Sequence, residues 1–227
     1  MMKRSLLLAS LIAAVPALAG AQGKKKSAPE RALDVGQACR VSTTADWVKR
    51  QAEWFDDSKH DWKNDSLRTA LLAAAGLTAP LTAPVQRGVQ IEGKDSPLGS
   101  TAPAMLEQLK TLASTRGSEW PTKSVVGAAG VHGVYLLSQT DTGLARGVLH
   151  RMMEAGPTES PAADVATLED RLRLLSGRKQ IYGTQFRIEN GKVVLSPMED
   201  SAHADLRRED AGLPPFALGL CFAKAAR

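Results

Sequence analysis

The residues whose side chains could take part in catalysis or ligand binding lie in the last third of the chain. Glu199 and Asp200 are adjacent carboxylates, a pair that could supply the acid and base of a hydrolase, or bind Ca²⁺ with a third oxygen donor. They also stand directly before a predicted helix start at Ser201, where acidic side chains stabilise the helix dipole without any catalysis. The sequence leaves these roles open and assigns no catalytic residue.

A second polar group is the segment Tyr182-Gly183-Thr184-Gln185. In an extended strand, Tyr182 and Thr184 lie on one face and Gln185 lies on the other, beside Gly183. A glycine inside a strand often marks the close approach of a ligand or of another backbone. The segment either binds a small polar ligand or peptide, or forms a buried hydrogen-bonded network that holds the strand on the helices.

Arg171 follows Asp170 on the helix that precedes this segment. Adjacent residues on a helix do not face each other, so these two are not expected to pair. The Arg171 guanidinium is predicted to reach Glu199 or Asp200 and to pin the hairpin through an ion pair. The alternative is that Arg171 binds an anionic ligand.

The sequence carries no metal-binding or nucleophile motif. Its four histidines, at positions 60, 132, 150 and 203, include no H-x-x-x-H pair, and neither G-x-S-x-G nor a phosphate loop is present. We therefore predict no metal site and no cofactor, and we expect binding rather than catalysis.

The elements that position these residues are predicted to form one compact helical domain over residues 43–222, mainly α with a small C-terminal β-hairpin (α+β). Apolar residues recur at helix spacing from Thr43 onward, with an irregular segment over residues 77–103 that is rich in proline and glycine. Gly127, Gly130 and Gly133 suggest that another backbone packs closely against one helix. Asn190-Gly191 between two β-rich runs predicts the hairpin over residues 180–196.

The N-terminus predicts export. Residues 1–21 combine a basic start at Lys3 and Arg4, an apolar run too short to span a bilayer, and small residues at alternate positions near Ala19. We interpret them as a cleaved signal peptide, followed by an extended basic lead-in over residues 22–42. The expected location is the periplasm or the medium.

Net charge and hydropathy argue against two kinds of interaction, nucleic-acid binding and stable membrane insertion. The 227 residues carry a formal charge of +5, which falls to +3 once Lys3 and Arg4 are removed. So weak a positive charge argues against nucleic-acid binding. No later segment reaches ~18 uninterrupted apolar residues, so no stable membrane insertion is expected after cleavage.

The chain has two cysteines, Cys39 and Cys221. Export would place them in an oxidising compartment, where an even number of cysteines predicts a disulfide. Such a bond would tie the two ends of the domain together. The alternative is a pair of unlinked, buried thiols.

A series of short motifs over residues 119–215 carries a family resemblance. The pieces are Trp120-Pro121, Val126-Gly127, Leu136 to Asp141, Asp170-Arg171, Gln180 to Gln185, Pro197 with Glu199-Asp200, Arg207-Arg208 and Gly212-Leu213-Pro214. In this order they resemble an uncharacterised bacterial family, a domain of unknown function. The resemblance implies a helical domain with a late hairpin and implies no activity.

One departure from that family bears on function. Its members often carry Gln-His-Ala-Asp where this chain has Ser138-Gln139-Thr140-Asp141, so a histidine is missing. If that histidine is catalytic in relatives, this chain lacks its chemistry.

The sequence thus predicts an exported interaction protein with a protein partner, such as an inhibitor or an immunity-like protein. The alternatives are a binder of a small polar ligand and a hydrolase that uses Glu199 or Asp200. The candidate ligand-binding residues are Arg171, Tyr182, Gln185, Glu199, Asp200 and Arg207.

Overall fold

A computed structural model describes residue 39 and residues 45–59, 61–77, 90–91, 98–115 and 119–225. The predicted signal peptide over residues 1–21 lies outside the described residues. So does the predicted lead-in over residues 22–42, apart from Cys39, and so does most of the predicted irregular segment over residues 77–103.

Eight helices form within the described residues, and together with a short sheet they make one compact helical domain. In chain order they are α1 Asp46–Trp54, α2 Asp65–Ala74, α3 Ala102–Ser114, α4 Lys123–Ser138, α5 Thr142–Ala155, α6 Ala162–Leu175, α7 Ala204–Asp210 and α8 Phe216–Ala225. The predicted fold class, mainly α with a C-terminal hairpin, is confirmed.

Side-chain caps explain where two of the helices begin. Asn64 precedes α2 and its side chain accepts a hydrogen bond from the Leu67 N–H at 2.9 Å. Asp141 does the same for α5 through the Leu144 N–H at 2.8 Å. Such caps satisfy backbone donors that the first turn leaves free. Helix α6 has no such cap, because its N-cap residue is Pro161 and no side chain accepts a hydrogen bond from its first turn.

The main core lies between α2, α3, α4, α5 and α6. Its fully buried side chains include Leu71, Leu109, Leu137, Val148 and Leu168. A Cβ on Gly133 would lie 3.3 Å from the Leu71 carbonyl oxygen, so this glycine lets α4 approach α2, as predicted.

Gly127 has a different role from the one predicted. It has φ 69° and interrupts the helical geometry of α4 after its first turn. The Asp57 carboxylate accepts hydrogen bonds from the next two backbone N–H groups, those of Ala128 at 2.8 Å and Ala129 at 3.2 Å. The longer part of α4 is therefore capped like a separate helix.

The sheet contains β1 Gln90–Ile91, β2 Gln185–Glu189 and β3 Lys192–Leu195, in that order. Strand β1 is parallel to β2, and β2 is antiparallel to β3. Asn190 and Gly191 both have positive φ, 48° and 71°, as a type I′ turn requires. The hairpin is confirmed, but its first strand begins at Gln185 rather than at residue 180. Strand β1 was not predicted, because it falls within the segment interpreted as irregular.

Cys39 and Cys221 lie at disulfide distance, with their Sγ atoms 2.07 Å apart, as predicted. The pair joins residue 39 to α8 and packs with Trp47 and Phe222. No helix among the described residues is long and apolar enough to cross a membrane.

Candidate functional site

Asp170, on α6, is the centre of a closed polar network. Its side chain is fully buried and accepts hydrogen bonds from the N–H groups of Ile181 at 2.7 Å, Tyr182 at 3.1 Å and Thr184 at 3.0 Å. The Thr184 hydroxyl donates a fourth bond at 2.9 Å. Because these donors come from three of the four residues 181–184, one carboxylate fixes the loop before β2.

Two glutamines extend the network to the hairpin. The buried Gln180 side chain donates to the carbonyl oxygens of Gln185 at 3.1 Å and Ser196 at 2.8 Å, and accepts from the Gln185 N–H at 2.9 Å. The Gln185 amide donates to the Thr167 carbonyl oxygen on α6 at 3.1 Å. The Gln180 side chain thus bridges Gln185 and Ser196 at the open end of the hairpin, and the Gln185 side chain connects the hairpin to α6.

Arg208, on α7, closes the network from the other side. Its side chain is fully buried and donates to the carbonyl oxygens of Pro214 at 2.6 Å, Tyr182 at 2.8 Å and Gly183 at 3.1 Å. Burial lowers the pKa of the Arg208 guanidinium to about 10. We call Asp170, Gln180, Thr184, Gln185 and Arg208 the Asp170 network.

The predicted strand geometry of Tyr182 and Thr184 is wrong. Residues 181–184 form a loop, since Gly183 has φ 70° and the backbone N–H groups turn toward Asp170. A Cβ on Gly183 would lie 2.9 Å from the Phe216 ring. The glycine marks a close approach, as predicted, but by an aromatic side chain of the same fold.

Arg171 does not reach Glu199 or Asp200. Its guanidinium donates to the Gln139 carbonyl oxygen at 2.9 Å, at the end of α4. The predicted ion pairs exist with other arginines: Arg173 pairs with Glu199, and Arg207 contacts Asp200 through its side chain at 3.4 Å. The error has a geometric cause, because Arg171 and Arg173 project from different sides of α6.

The carboxylates of Glu199 and Asp200 both make contacts that stabilise the fold. The Asp200 carboxylate accepts from the N–H groups of Ala202 at 3.1 Å and His203 at 3.4 Å, just before α7. Its hydrogen bonds with His203 hold the pKa of the Asp200 carboxyl below its usual value. These contacts match the helix-start role that the sequence offered as an alternative to catalysis.

Beside the Asp170 network lies an open groove of ≈ 330 Å³, between the end of α5, the start of α6, and α7. Apolar side chains form most of its wall, among them Met152, Met153, Val165 and Ala166. We call this the α5–α6–α7 groove. Met153 stands at its edge and is 60% exposed.

Two of the predicted site residues, Tyr182 and Arg207, line this groove together with Asp210. Arg207 is held by hydrogen bonds to the Ile181 carbonyl oxygen at 2.9 Å and to the Asp200 carbonyl oxygen. Burial raises the pKa of the Tyr182 phenol, and the charges of Glu169, Asp170 and Asp210 raise it further. The other four predicted site residues, Arg171, Gln185, Glu199 and Asp200, do not line the groove.

Sequence reasoning missed a partly buried pair elsewhere in the fold. His132 Nδ1 on α4 lies 2.6 Å from Asp164 Oδ2 on α6, and the His132 ring stacks on Tyr135. No local spacing connects residues 32 positions apart, so no sequence signal was available. In the part of the chain that the structure describes, no group of three His, Cys, Asp or Glu side chains could hold a metal ion.

Comparison with known sequences identifies a relationship but no activity. A family of unknown function (DUF6624) matches residues 96–223, more than half of the chain. This range contains the Asp170 network, the α5–α6–α7 groove and the hairpin. Neither the curated proteins nor the solved structures include a match. The chain therefore belongs to DUF6624, a family of unknown function.

Proposed function

We propose that this protein is an exported interaction protein that binds its partner in the α5–α6–α7 groove. The observation that carries the proposal is the groove itself: an open, largely apolar cleft with the exposed Met153 at its edge. Exposed apolar side chains around a concave surface are typical of binding sites. The signal-peptide pattern over residues 1–21 supports export, and the Cys39–Cys221 pair is compatible with an oxidising compartment.

The polar candidates support binding rather than hydrolysis. Glu199 pairs with Arg173, and Asp200 accepts from the start of α7, so each carboxylate already has a structural partner. Gln185 is buried within the Asp170 network and is closed to a ligand. Among the six predicted residues, Tyr182 has the side chain best placed to meet a bound molecule.

The test compares two single substitutions of exposed apolar residues. Met153 is 60% exposed at the groove, and Leu175 is 56% exposed at the end of α6, outside the groove lining. Each is changed to aspartate, and each variant is used beside the wild type to capture proteins from the envelope extract of the source organism. Mass spectrometry then measures the amount and stoichiometry of each captured protein.

We expect a stoichiometric partner with the wild type and with Leu175→Asp, and its loss with Met153→Asp. Both substitutions are at exposed positions, so melting temperatures should stay close to that of the wild type. Capture of the same proteins in equal amounts by all three would contradict the groove as the binding surface.

A further inference from the structure

The hydroxyl of Ser160 belongs to the lining of the α5–α6–α7 groove and makes no hydrogen bond to any described residue. Its Oγ atom is fully buried. A buried hydroxyl without a partner destabilises a fold, and most buried polar groups in proteins are paired. This hydroxyl therefore favours a ligand that brings a hydrogen-bonding group into the groove.

The local structure around Ser160 does not use the hydroxyl. Serine is a preferred N-cap residue, but the N-cap of α6 is Pro161, and no side chain accepts a hydrogen bond from the first turn of that helix. Ser160 is held through its backbone instead, since its N–H donates to the Gly156 carbonyl oxygen at 2.9 Å. The turn before α6 thus forms without the hydroxyl.

The position of Ser160 in the groove limits the shape of a ligand that reaches it. Met152, Ser160 and Ala166 are the least exposed residues of the lining, each 1% exposed, whereas Met153 and Asp210 are exposed at its edge. The hydroxyl thus lies at the closed end of a cleft with largely apolar walls. A ligand that meets it needs an apolar body and a polar group at its far end.

The walls of the groove favour an aromatic ring as that apolar body. Met152 and Met153 supply thioethers, which make favourable contacts with aromatic rings. Tyr182 packs beside Ala166 and Ala211 and offers a second ring for an aromatic pair. The volume of ≈ 330 Å³ is near the lower end for ligand pockets, which suits one large side chain.

The charges of the groove favour an uncharged ligand. Its lining contains one cation, Arg207, and one carboxylate, Asp210, so their formal charges cancel. Arg207 also donates to the carbonyl oxygens of Ile181 and Asp200. Among aromatic side chains, tyrosine has an uncharged hydroxyl at the far end of its ring, and this group can both donate and accept a hydrogen bond.

We infer that the groove binds a tyrosine side chain of the partner protein. The ring packs between the methionines and Tyr182, and the phenolic hydroxyl forms a hydrogen bond with the Ser160 hydroxyl. Tyrosine is enriched among the residues that contribute most to the affinity of protein interfaces. This inference rests on the proposed function, because it names the side chain that the groove would take.

The test uses three acetylated, amidated pentapeptides: Gly-Ser-Tyr-Ser-Gly and two versions with phenylalanine or alanine at the centre. NMR titration of the ¹⁵N-labelled protein measures their dissociation constants, and the dispersion of the amide signals shows that each variant is folded. Ser160→Ala removes only the hydroxyl oxygen from the groove. Ser138→Ala is the matched control, since that serine is also buried but lies outside the groove lining.

We expect the wild type and Ser138→Ala to bind the tyrosine peptide about fivefold more tightly than the phenylalanine peptide, as one neutral hydrogen bond implies. The alanine peptide should bind most weakly. Ser160→Ala should bind the two aromatic peptides equally. The inference would be overturned by equal binding of these two peptides to the wild type, by a tyrosine preference retained in Ser160→Ala or lost in Ser138→Ala, or by no binding of the tyrosine peptide.

The two proposals fail in different ways. If capture of the partner depends on Met153 but the peptides show no tyrosine preference, the groove remains the binding surface and the tyrosine is wrong. If capture is unchanged by Met153→Asp, the proposed function is wrong, whatever the peptides do.

Discussion

The Asp170 network and the α5–α6–α7 groove lie side by side, and Tyr182 belongs to both. Its backbone N–H donates to Asp170 and its carbonyl oxygen accepts from Arg208, while its ring lines the groove. In the network almost every buried polar atom has a partner inside the fold. In contrast, no hydrogen bond or ion pair among the described residues reaches the carboxylate of Asp210 in the groove or that of Glu169, one turn after Val165 on α6.

This difference distinguishes the residues that hold the fold together from the residues that line the proposed binding groove. The residues that carry the resemblance, such as Asp170, Gln180 and Thr184, are used to fix the loop and the hairpin. The apolar groove residues Met152 and Val165 lie outside those motifs. The most recognisable part of this sequence therefore specifies the fold, whereas less distinctive residues form the apolar wall of the proposed binding groove.

The largest expected effect is a loss of stability when the central carboxylate of the Asp170 network is replaced. Asp170→Asn keeps the size of the side chain but replaces one acceptor oxygen with an NH₂ group that faces backbone donors. We expect the free energy of unfolding to fall by about 3 kcal/mol, measured by urea denaturation, because several charge-assisted hydrogen bonds are lost.

The neighbouring substitution Glu169→Gln is the matched control for that loss. Glu169 makes no hydrogen bond among the described residues, so its replacement should change the unfolding free energy by less than about 0.5 kcal/mol. If Asp170→Asn and Glu169→Gln unfold at the same urea concentration, the hydrogen bonds of Asp170 contribute no more to the free energy of unfolding than the unpartnered carboxylate of Glu169 does.

A substitution in the groove wall is expected to raise the free energy of unfolding, by less than Asp170→Asn lowers it. Ser160 is 1% exposed, and its hydroxyl has no hydrogen-bond partner among the described residues. Ser160→Ala removes this unpartnered group, so we expect urea denaturation to show a gain of up to about 1 kcal/mol.

Ser138→Ala provides the comparison, because that serine is equally buried but donates to the Tyr135 carbonyl oxygen at 2.7 Å. It should lose about 1 kcal/mol. A loss of stability in both variants would show that the Ser160 hydroxyl is satisfied.

The smallest effect concerns the ionisation of Tyr182. Burial and nearby negative charges raise the pKa of its phenol above 10.0, with Asp210 among the contributors. Ultraviolet titration of Asp210→Asn should therefore show a pKa closer to 10.0 than in the wild type. The difference between wild type and Tyr182→Phe assigns the signal, since Tyr135 is the second tyrosine. If Asp210→Asn leaves the pKa of Tyr182 unchanged, the Asp210 carboxylate does not lie close enough to the Tyr182 phenol to affect its ionisation.

Local signals predicted most of the fold. The turn Asn190-Gly191 sets the hairpin through its own backbone preference, and Gly76, Gly156 and Gly177 follow the helices that end before them with positive φ. These features depend on a few adjacent residues. The first strand was placed five residues early, because its alternating pattern cannot reveal that Asp170 draws residues 181–184 into a loop.

The candidate site was less predictable because it depends on distant contacts. Whether Arg171 or Arg173 meets Glu199 is set by how α6 is rotated against the loop before α7, which no local pattern encodes. The groove brings together Met152, Ala166 and Ala211 from separate elements. Each of these residues would be an ordinary apolar position in a helix pattern, so their shared surface appears only in the folded chain.

The bond between Cys39 and Cys221 has a mechanical consequence. Tension applied to the chain ahead of Cys39 enters the fold at α8 as well as at α1, because the two cysteines are covalently joined across 182 residues of sequence. Helix α1 cannot then be peeled away from its end, and a pull between the two termini bypasses the helices between the cysteines. The groove, which lies within that shielded loop, would keep its shape while the ends of the protein are under load.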